Sequence, residues 1–198
     1  MTIPKIIQQI IDGRDVRASV EPLRRNPHRA IAYLLPLLDG RKEVRPADSV
    51  DGRDAHNNIQ EALFLLGREN VEHLASLLRA ELQNDRMQPA FSLAWTLAHL
   101  GDRAALGVLV TAVRHRDAYV RWAACTGLRR LQAEETRDTL NLAASDRSSM
   151  VRLEAVEALE HVGDQSSIPV LRKRLRDRYP GIQSAAERAI KAIEQRSA

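Results

Sequence analysis

Few residues in this 198-residue chain have the types and spacing that catalysis requires. The sequence contains six histidines, none of which is followed by glutamate, and it has no His-Glu-x-x-His pattern. It also lacks a Gly-x-Ser-x-Gly motif and a Gly-rich phosphate-binding loop that ends in Lys-Ser or Lys-Thr. His99 and His161 recur at equivalent positions, but two histidines without further ligands do not make a metal site. We therefore expect no catalytic residues, no metal and no cofactor, and no enzymatic activity.

The single cysteine, Cys125, excludes an internal disulfide, and we interpret it as a small buried hydrophobic residue. The longest nearly apolar run, 31–38, contains Pro36 and is much shorter than the roughly 20 residues of a membrane-spanning helix. The segment 3–11 includes Lys5 and two glutamines, and is too polar for the centre of a signal peptide. The sequence thus predicts a cytoplasmic protein with no membrane partner.

The elements that must position any functional side chain repeat along the chain. Apolar residues recur at a spacing of 31 residues, as at Val120, Val151 and Ile182. A second column keeps the same step through Leu97, Leu128, Leu159 and Ile190. A fixed period of this length is typical of repeat architectures.

Each repeat contains two helices. In one unit Val151, Ala155 and Leu159 follow each other at helical offsets, and Gly163 then marks the end of the helix. The spacing predicts first helices near 28–38, 70–83, 103–115, 134–144 and 166–176, and second helices near 54–66, 87–100, 118–131, 148–162 and 181–194. Two further helical segments are predicted near 3–11 and 15–24. We expect one domain over 1–198, with an N-terminal cap over 1–27, about five helix pairs over 28–195 and a loop insertion near 39–53.

Three strings carry a resemblance to a known family: DAYVRWAACTGLRRL from Asp117, DRSSMVRLEAVEALEHVGD from Asp146, and SSIPVLRKRLRD from Ser166. They resemble HEAT repeats of the short type found in phycobilin lyases, over about residues 54–195. The resemblance implies an all-α, right-handed α-solenoid of antiparallel helix pairs, in which the second helices line the concave side. In another HEAT-repeat protein, the metalloenzyme deoxyhypusine hydroxylase, His-Glu pairs at the start of inner helices bind iron. The matching position here reads Leu153-Glu154, so those ligands are absent.

The same resemblance assigns a structural role to Arg121 and Arg152, which follow Asp117 and Asp146 by four or six residues. Such Asp and Arg residues link neighbouring HEAT units in a ladder. Gln183 stands where the pattern has arginine, so the predicted ladder ends at the last unit. If exposed, each link is expected to contribute at most about 1 kcal/mol.

The concave face is the predicted binding surface. In each second helix the third, seventh and tenth positions are not needed for the core, and they hold three of the seven aromatic residues of the chain in the middle units. These rings either fill the seam between repeats or form an apolar patch that binds a partner, with charged residues as its rim. The predicted partner-binding residues are Phe91, Trp95, Trp122, Arg129, Leu153, Glu157, Glu61 and Arg188.

The basic residues are mixed with acidic ones, 30 Lys and Arg against 26 Asp and Glu, which is a weak signal for nucleic-acid binding. The densest basic run, 172–178, lies on a predicted first helix and is interpreted either as a solvated helical face or as a phosphate-binding stripe. The favoured function is a non-enzymatic scaffold that holds a protein or peptide in the concave groove. The alternatives are a chromophore-handling protein similar to phycobilin lyases and a nucleic-acid-binding module.

Overall fold

The computed structural model describes residues 2–13, 15–38, 53–84 and 87–197. Within these ranges the chain forms α-helices and short 3₁₀ turns and contains no β-strand. It divides into two compact units, Met1–Leu100 and Gly101–Ala198, which we call unit 1 and unit 2. That the whole chain forms one domain stays a prediction.

Six α-helices lie in the described part of unit 1. They are α1 (Ile3–Ile11), α2 (Val16–Val20), α3 (Pro27–Leu38), α4 (Arg53–Gly67), α5 (Val71–Asn84) and α6 (Met87–Leu100), with a 3₁₀ turn at Glu21–Arg25. Helix α1 packs against α2, α3 and α4, and α4 also contacts α6. The N-terminal helical segments are therefore confirmed. Residues 39–52 of the predicted loop insertion lie outside the described part of the chain.

Unit 2 consists of three repeats of a 3₁₀ turn, a short helix and a long helix. The short helices are α7 (Leu106–Ala112), α9 (Arg137–Ala143) and α11 (Ile168–Arg174), and the long helices are α8 (Ala118–Leu131), α10 (Ser149–Val162) and α12 (Pro180–Ser197). The 3₁₀ turns occupy Arg103–Ala105, Glu134–Thr136 and Gln165–Ser167. The sequence predicted longer first helices, because apolar spacing cannot distinguish a tightened 3₁₀ turn from the start of an α-helix.

Alanine columns allow the long helices of unit 2 to pack closely. Helix α10 contacts both α8 and α12, and Ala124, Ala155 and Ala186 are fully buried at equivalent positions of the three helices. Gly163, which ends α10, has no room for a side chain. A Cβ atom there would overlap the carbonyl oxygen of Leu159 and would lie 2.8 Å from Cδ1 of Ile193.

The predicted ladder is present in unit 2. Arg121 donates to Asp146 from Nε (2.7 Å) and Nη2 (2.8 Å), and Arg152 donates in the same way to Asp177 (2.8 and 2.9 Å). Nη1 of Arg152 also donates to the carbonyl oxygen of Asp146 at 2.9 Å. Gln183 donates to the carbonyl oxygen of Asp177, so it keeps the backbone contact where the ladder ends.

Two details of the ladder differ from the expectation. Asp117 does not pair with an arginine of unit 2; its side chain accepts from the backbone amides of Tyr119 and Val120 and so begins α8. The links are also buried, with 9% of the Arg152 side chain and 4% of the Asp177 side chain exposed. The contribution of at most about 1 kcal/mol that holds for an exposed ion pair therefore does not apply to these links. A buried guanidinium that loses its counterion stays desolvated, which costs more free energy.

Candidate functional site

A charged and aromatic surface runs across the long helices of unit 2. We call it the α8–α10–α12 face. Its members are linked from helix to helix by polar contacts of their side chains. They are Trp122, Arg129, Glu154, Glu157, Glu160 and Arg188.

Glu154 lies at the centre of the contacts between α8 and α10. Its Oε2 accepts a hydrogen bond from Nε of Arg129 at 2.8 Å, and its Oε1 lies 3.4 Å from the indole nitrogen of Trp122. The carboxylate thus faces an arginine and an aromatic ring of the neighbouring helix. Because both partners come from α8, these contacts hold Arg129 and Trp122 in a fixed relation to α10.

The remaining contacts extend this face in both directions. Nε of Arg129 also lies 3.8 Å from Glu157, and Arg188 of α12 lies 3.4 Å from Glu160. The face therefore alternates in sign along its length. Arg188 is exposed, while the Arg129 and Glu157 side chains are each about one third exposed (35% and 32%) and remain within reach of a partner.

Unit 1 carries a second aromatic surface on α6. Phe91, Trp95 and His99 follow each other at intervals of four residues, so they share one face of the helix. The ring centroids of Phe91 and Trp95 are 6.1 Å apart, and those of Trp95 and His99 are 4.1 Å apart. The imidazole Nδ1 of His99 is also 2.8 Å from the carbonyl oxygen of Trp95.

Helix α4, which contacts α6, carries two polar residues of interest, Gln60 and Glu61. Gln60 donates from Nε2 to the carbonyl oxygen of Ser92 (3.1 Å) and to the hydroxyl of Thr96 (2.6 Å), which ties α4 to α6. Glu61 is exposed, and its carboxylate lies 3.7 Å from Nε of Arg17. Glu61 thus lies on the surface of unit 1, and its role in binding a partner stays a prediction.

The three predicted aromatic residues are neither fully buried nor fully exposed. Phe91, Trp95 and Trp122 are each half-buried, as is Leu153 on α10. Each ring thus combines a packed part with a part that solvent reaches. Their role in binding a partner stays a prediction.

Sequence reasoning missed Glu154, although a signal was present. The equivalent positions in neighbouring repeats hold Ser92, Ala123 and Ala185, which are small residues. A glutamate in a column of small residues indicates a side chain that must reach a specific partner. Its partners on α8 are about 25 and 32 residues away in sequence, so only the structure identifies them.

No donor set for a metal is found in the part of the chain that the structure describes. No group of three or more His, Cys, Asp or Glu side chains there could hold a metal ion. His99 contacts Trp95, and His161 lies exposed on the surface of α10. None of the described helices has the length and apolar character that crossing a bilayer requires.

The comparison with known families agrees with the repeat pattern. Residues 108–191 match the family model for HEAT repeats. The matched segment contains α8, α10 and most of α12, and therefore includes the residues of the α8–α10–α12 face. The finer similarity to phycobilin lyases stays a prediction.

One curated relative is deoxyhypusine hydroxylase-B of Oryza sativa subsp. japonica. It is 31% identical over 126 residues, which make up 63% of this chain and 41% of the relative. The chain thus spans about two fifths of the length of that relative.

Solved structures show the same fold. A designed armadillo repeat protein in complex with the peptide (KR)4 superposes with a TM-score of 0.59 at 16% identity, covering 98% of this chain and 100% of that one. A computationally designed armadillo repeat protein for modular peptide recognition gives 0.55 at 16% identity, covering 97% and 100%. The predicted all-α repeat-solenoid fold class is therefore confirmed.

Proposed function

We propose that this protein is a non-enzymatic scaffold that binds a protein or peptide segment on the α8–α10–α12 face. The observation that carries the proposal is the contact network in which Glu154 holds Arg129 and faces Trp122. Tryptophan and arginine are the residue types that most often dominate binding energy at protein interfaces. A network that fixes both side chains before binding reduces the entropy lost when a partner arrives.

The alternating charges of this face suit a peptide with both basic and acidic groups. Arg188 and Glu160 are 3.4 Å apart, and Arg129 and Glu157 are 3.8 Å apart, so neither pair is tightly closed. A charged side chain of a partner can therefore bind next to the arginine or the glutamate of each pair while that pair stays together. Two structural neighbours were made for peptide binding or are bound to a peptide, which supports this function by similarity of fold.

Unit 1 contributes a second surface to the proposal. The stacked rings of Phe91 and Trp95 offer a half-buried aromatic patch, and Glu61 adds an exposed carboxylate. We assign this patch to apolar side chains of a partner, since aromatic rings present a large contact surface and lose little conformational entropy on binding.

Other functions find less support from the described residues. A hydroxylase activity like that in the name of the rice relative would need a donor set that the described residues do not contain. A pigment-handling role rests on the resemblance to phycobilin lyases alone. Binding of a bilin with submicromolar affinity, lost on Trp122→Ala, would favour that role over peptide binding.

The proposal is tested with a peptide selected from a random library displayed on phage against the whole chain. Fluorescence anisotropy then gives the Kd of the peptide for wild type, Trp122→Ala and Arg129→Met. Each variant is expected to weaken binding by about 30-fold, equivalent to about 2 kcal/mol. Tyr33→Ala, which removes an exposed ring of α3, is the matched control and should bind like wild type.

Wild-type affinity in both variants would contradict the proposal. If Trp122→Ala and Arg129→Met keep wild-type affinity while far-ultraviolet circular dichroism shows them folded, the peptide binds elsewhere. Because Trp122 is half-buried, the Arg129 variant keeps the test valid even if the tryptophan variant loses stability.

A further inference from the structure

The large apolar side chains exposed in unit 2 gather at one edge of the repeats. This turn edge is the set of turns where α7, α9 and α11 end and α8, α10 and α12 begin. The exposed fraction is 66% for Leu142 and 56% for Tyr119. All five such residues among the described part of unit 2 lie in these turns or within two residues of a helix end there: Tyr119, Leu142, Met150, Leu175 and Tyr179. Exposed apolar residues concentrated in one place indicate an interaction site.

Arginines occupy the same turns. Arg116, Arg147 and Arg178 are exposed and stand 31 residues apart, so each repeat presents one at the same position. Arg114 and Arg176 are also exposed and lie two residues before the first and the last of these. The turn edge is therefore lined by arginine in every repeat of unit 2.

Two of the three aspartates of these turns are held by buried arginines, and the third, Asp117, accepts from the backbone amides of Tyr119 and Val120. Asp146 accepts from Nε and Nη2 of Arg121, and Asp177 accepts from Nε and Nη2 of Arg152. Among the described residues, Arg114, Arg147 and Arg178 have no carboxylate within ion-pair distance. The guanidinium of Arg147 donates to a carbonyl oxygen, and that of Arg178 lies 4.7 Å from the ring centre of Tyr179 and donates to its hydroxyl. Arg114, Arg147 and Arg178 thus place exposed positive charge along the turn edge.

A cavity of about 370 Å³ opens between the first two turns. Its apolar wall includes Leu142 with the buried Val113 and Ala143, and Arg114 and Arg147 stand at its exposed border. Its volume falls in the range of ordinary binding pockets. An apolar side chain that enters it would contact Leu142 while neighbouring acidic groups reach the arginines.

We propose that the turn edge is a second binding surface, specific for an acidic segment of a partner protein that carries a large apolar side chain. The turn edge combines Arg, Tyr and Met, the residue types enriched at protein interfaces. Three of its five exposed apolar residues, Leu142, Met150 and Leu175, have no aromatic ring that could stack on bases, which favours a protein over a nucleic acid. The turn edge uses none of the residues of the α8–α10–α12 face, so it adds a second partner or a second segment of the same one.

The test uses a fluorescein-labelled peptide in which a Phe-Leu pair is flanked on each side by a short run of glutamates. A second peptide has Gly-Gly in place of Phe-Leu, and an oligothymidylate of similar length is the third probe. Anisotropy is measured with wild type, Arg147→Glu and Leu142→Ala, and with Arg130→Glu as the control for an exposed arginine outside the turn edge. Trp122→Ala is included to separate this surface from the α8–α10–α12 face.

Arg147→Glu is expected to weaken binding of the Phe-Leu peptide by at least about tenfold, since it replaces attraction by repulsion at the cavity border. Leu142→Ala should weaken the Phe-Leu peptide several-fold and leave the Gly-Gly peptide unchanged. Arg130→Glu and Trp122→Ala should bind the Phe-Leu peptide within about twofold of wild type. Circular dichroism confirms that each variant is folded.

Three results would overturn the proposal. Equal affinity for the Phe-Leu and Gly-Gly peptides, or none for either, would show that no apolar side chain is recognised. An equal loss on Arg130→Glu would reveal unspecific attraction to net positive charge. Tighter binding of the oligothymidylate than of the Phe-Leu peptide would make the turn edge a nucleic-acid surface.

Discussion

Removing the carboxylate of Asp177 should destabilise the protein far more than breaking an exposed ion pair. Asp177 accepts from Nε and Nη2 of Arg152 at 2.8 and 2.9 Å, and only 9% of the Arg152 side chain is exposed. In Asp177→Ala the guanidinium stays buried and loses its counterion. Breaking a buried pair in this way costs about 3–5 kcal/mol. Nη1 of Arg152 keeps its bond to the carbonyl oxygen of Asp146, so we expect about 3 kcal/mol, the lower end of that range.

The assay is urea unfolding followed by far-ultraviolet circular dichroism, with Glu135→Ala as the matched control. Glu135 pairs with Arg103 between the first and second repeats of unit 2, but both side chains are more than half exposed. Removing that carboxylate should cost at most about 1 kcal/mol. If Asp177→Ala loses no more free energy of unfolding than Glu135→Ala, the buried ladder does not stabilise the repeats and this reasoning is wrong.

Three further predictions concern groups of unit 2. The hydrogen bond from Arg152 lowers the pKa of Asp177 in the folded protein. The ionised carboxylate therefore stabilises the fold above the unfolded pKa of about 3.9, and this stabilisation is lost as the pH falls below that value. The difference in melting temperature between wild type and Asp177→Ala should shrink below about pH 4, and a difference that grew there would contradict this prediction. Gly163→Ala should lower the melting temperature, because the added Cβ overlaps Leu159, whereas Gly107→Ala, where nothing lies within 4 Å, should not. Burial raises the pKa of the Cys125 thiol, so dithiobis(nitrobenzoate) should react with it only when urea unfolds the protein. Rapid reaction with the folded protein would show that the packing around α8 opens.

The repeat period could be predicted from the sequence because helix packing forces apolar residues into fixed columns. Val120, Val151 and Ile182 mark the long helices directly, and α8, α10 and α12 begin within two residues of the predicted positions. The short helices were predicted too long, since the 3₁₀ turns that precede them have the same apolar spacing. Local patterns therefore determine which elements form, and backbone hydrogen bonds determine where each begins.

The contacts between repeats were less accessible from the sequence. The pairing of Arg121 with Asp146 joins residues 25 positions apart, and Glu154 reaches α8 over similar separations. Such pairs depend on how far one helix is displaced relative to the next, which the sequence pattern does not encode. Burial of the ladder and the half-buried state of Trp122 are further consequences of that packing.

The fluorescence of Trp122 tests the central claim, that a partner binds on the α8–α10–α12 face, most directly. The chain contains two tryptophans, so Trp95→Phe leaves Trp122 as the single reporter. The selected peptide, chosen without tryptophan, is titrated while its own label reports binding independently. We predict that the emission of Trp122 shifts to the blue and that quenching by acrylamide falls, both saturating with the same Kd as the anisotropy. Unchanged emission and quenching at saturating peptide would contradict the claim.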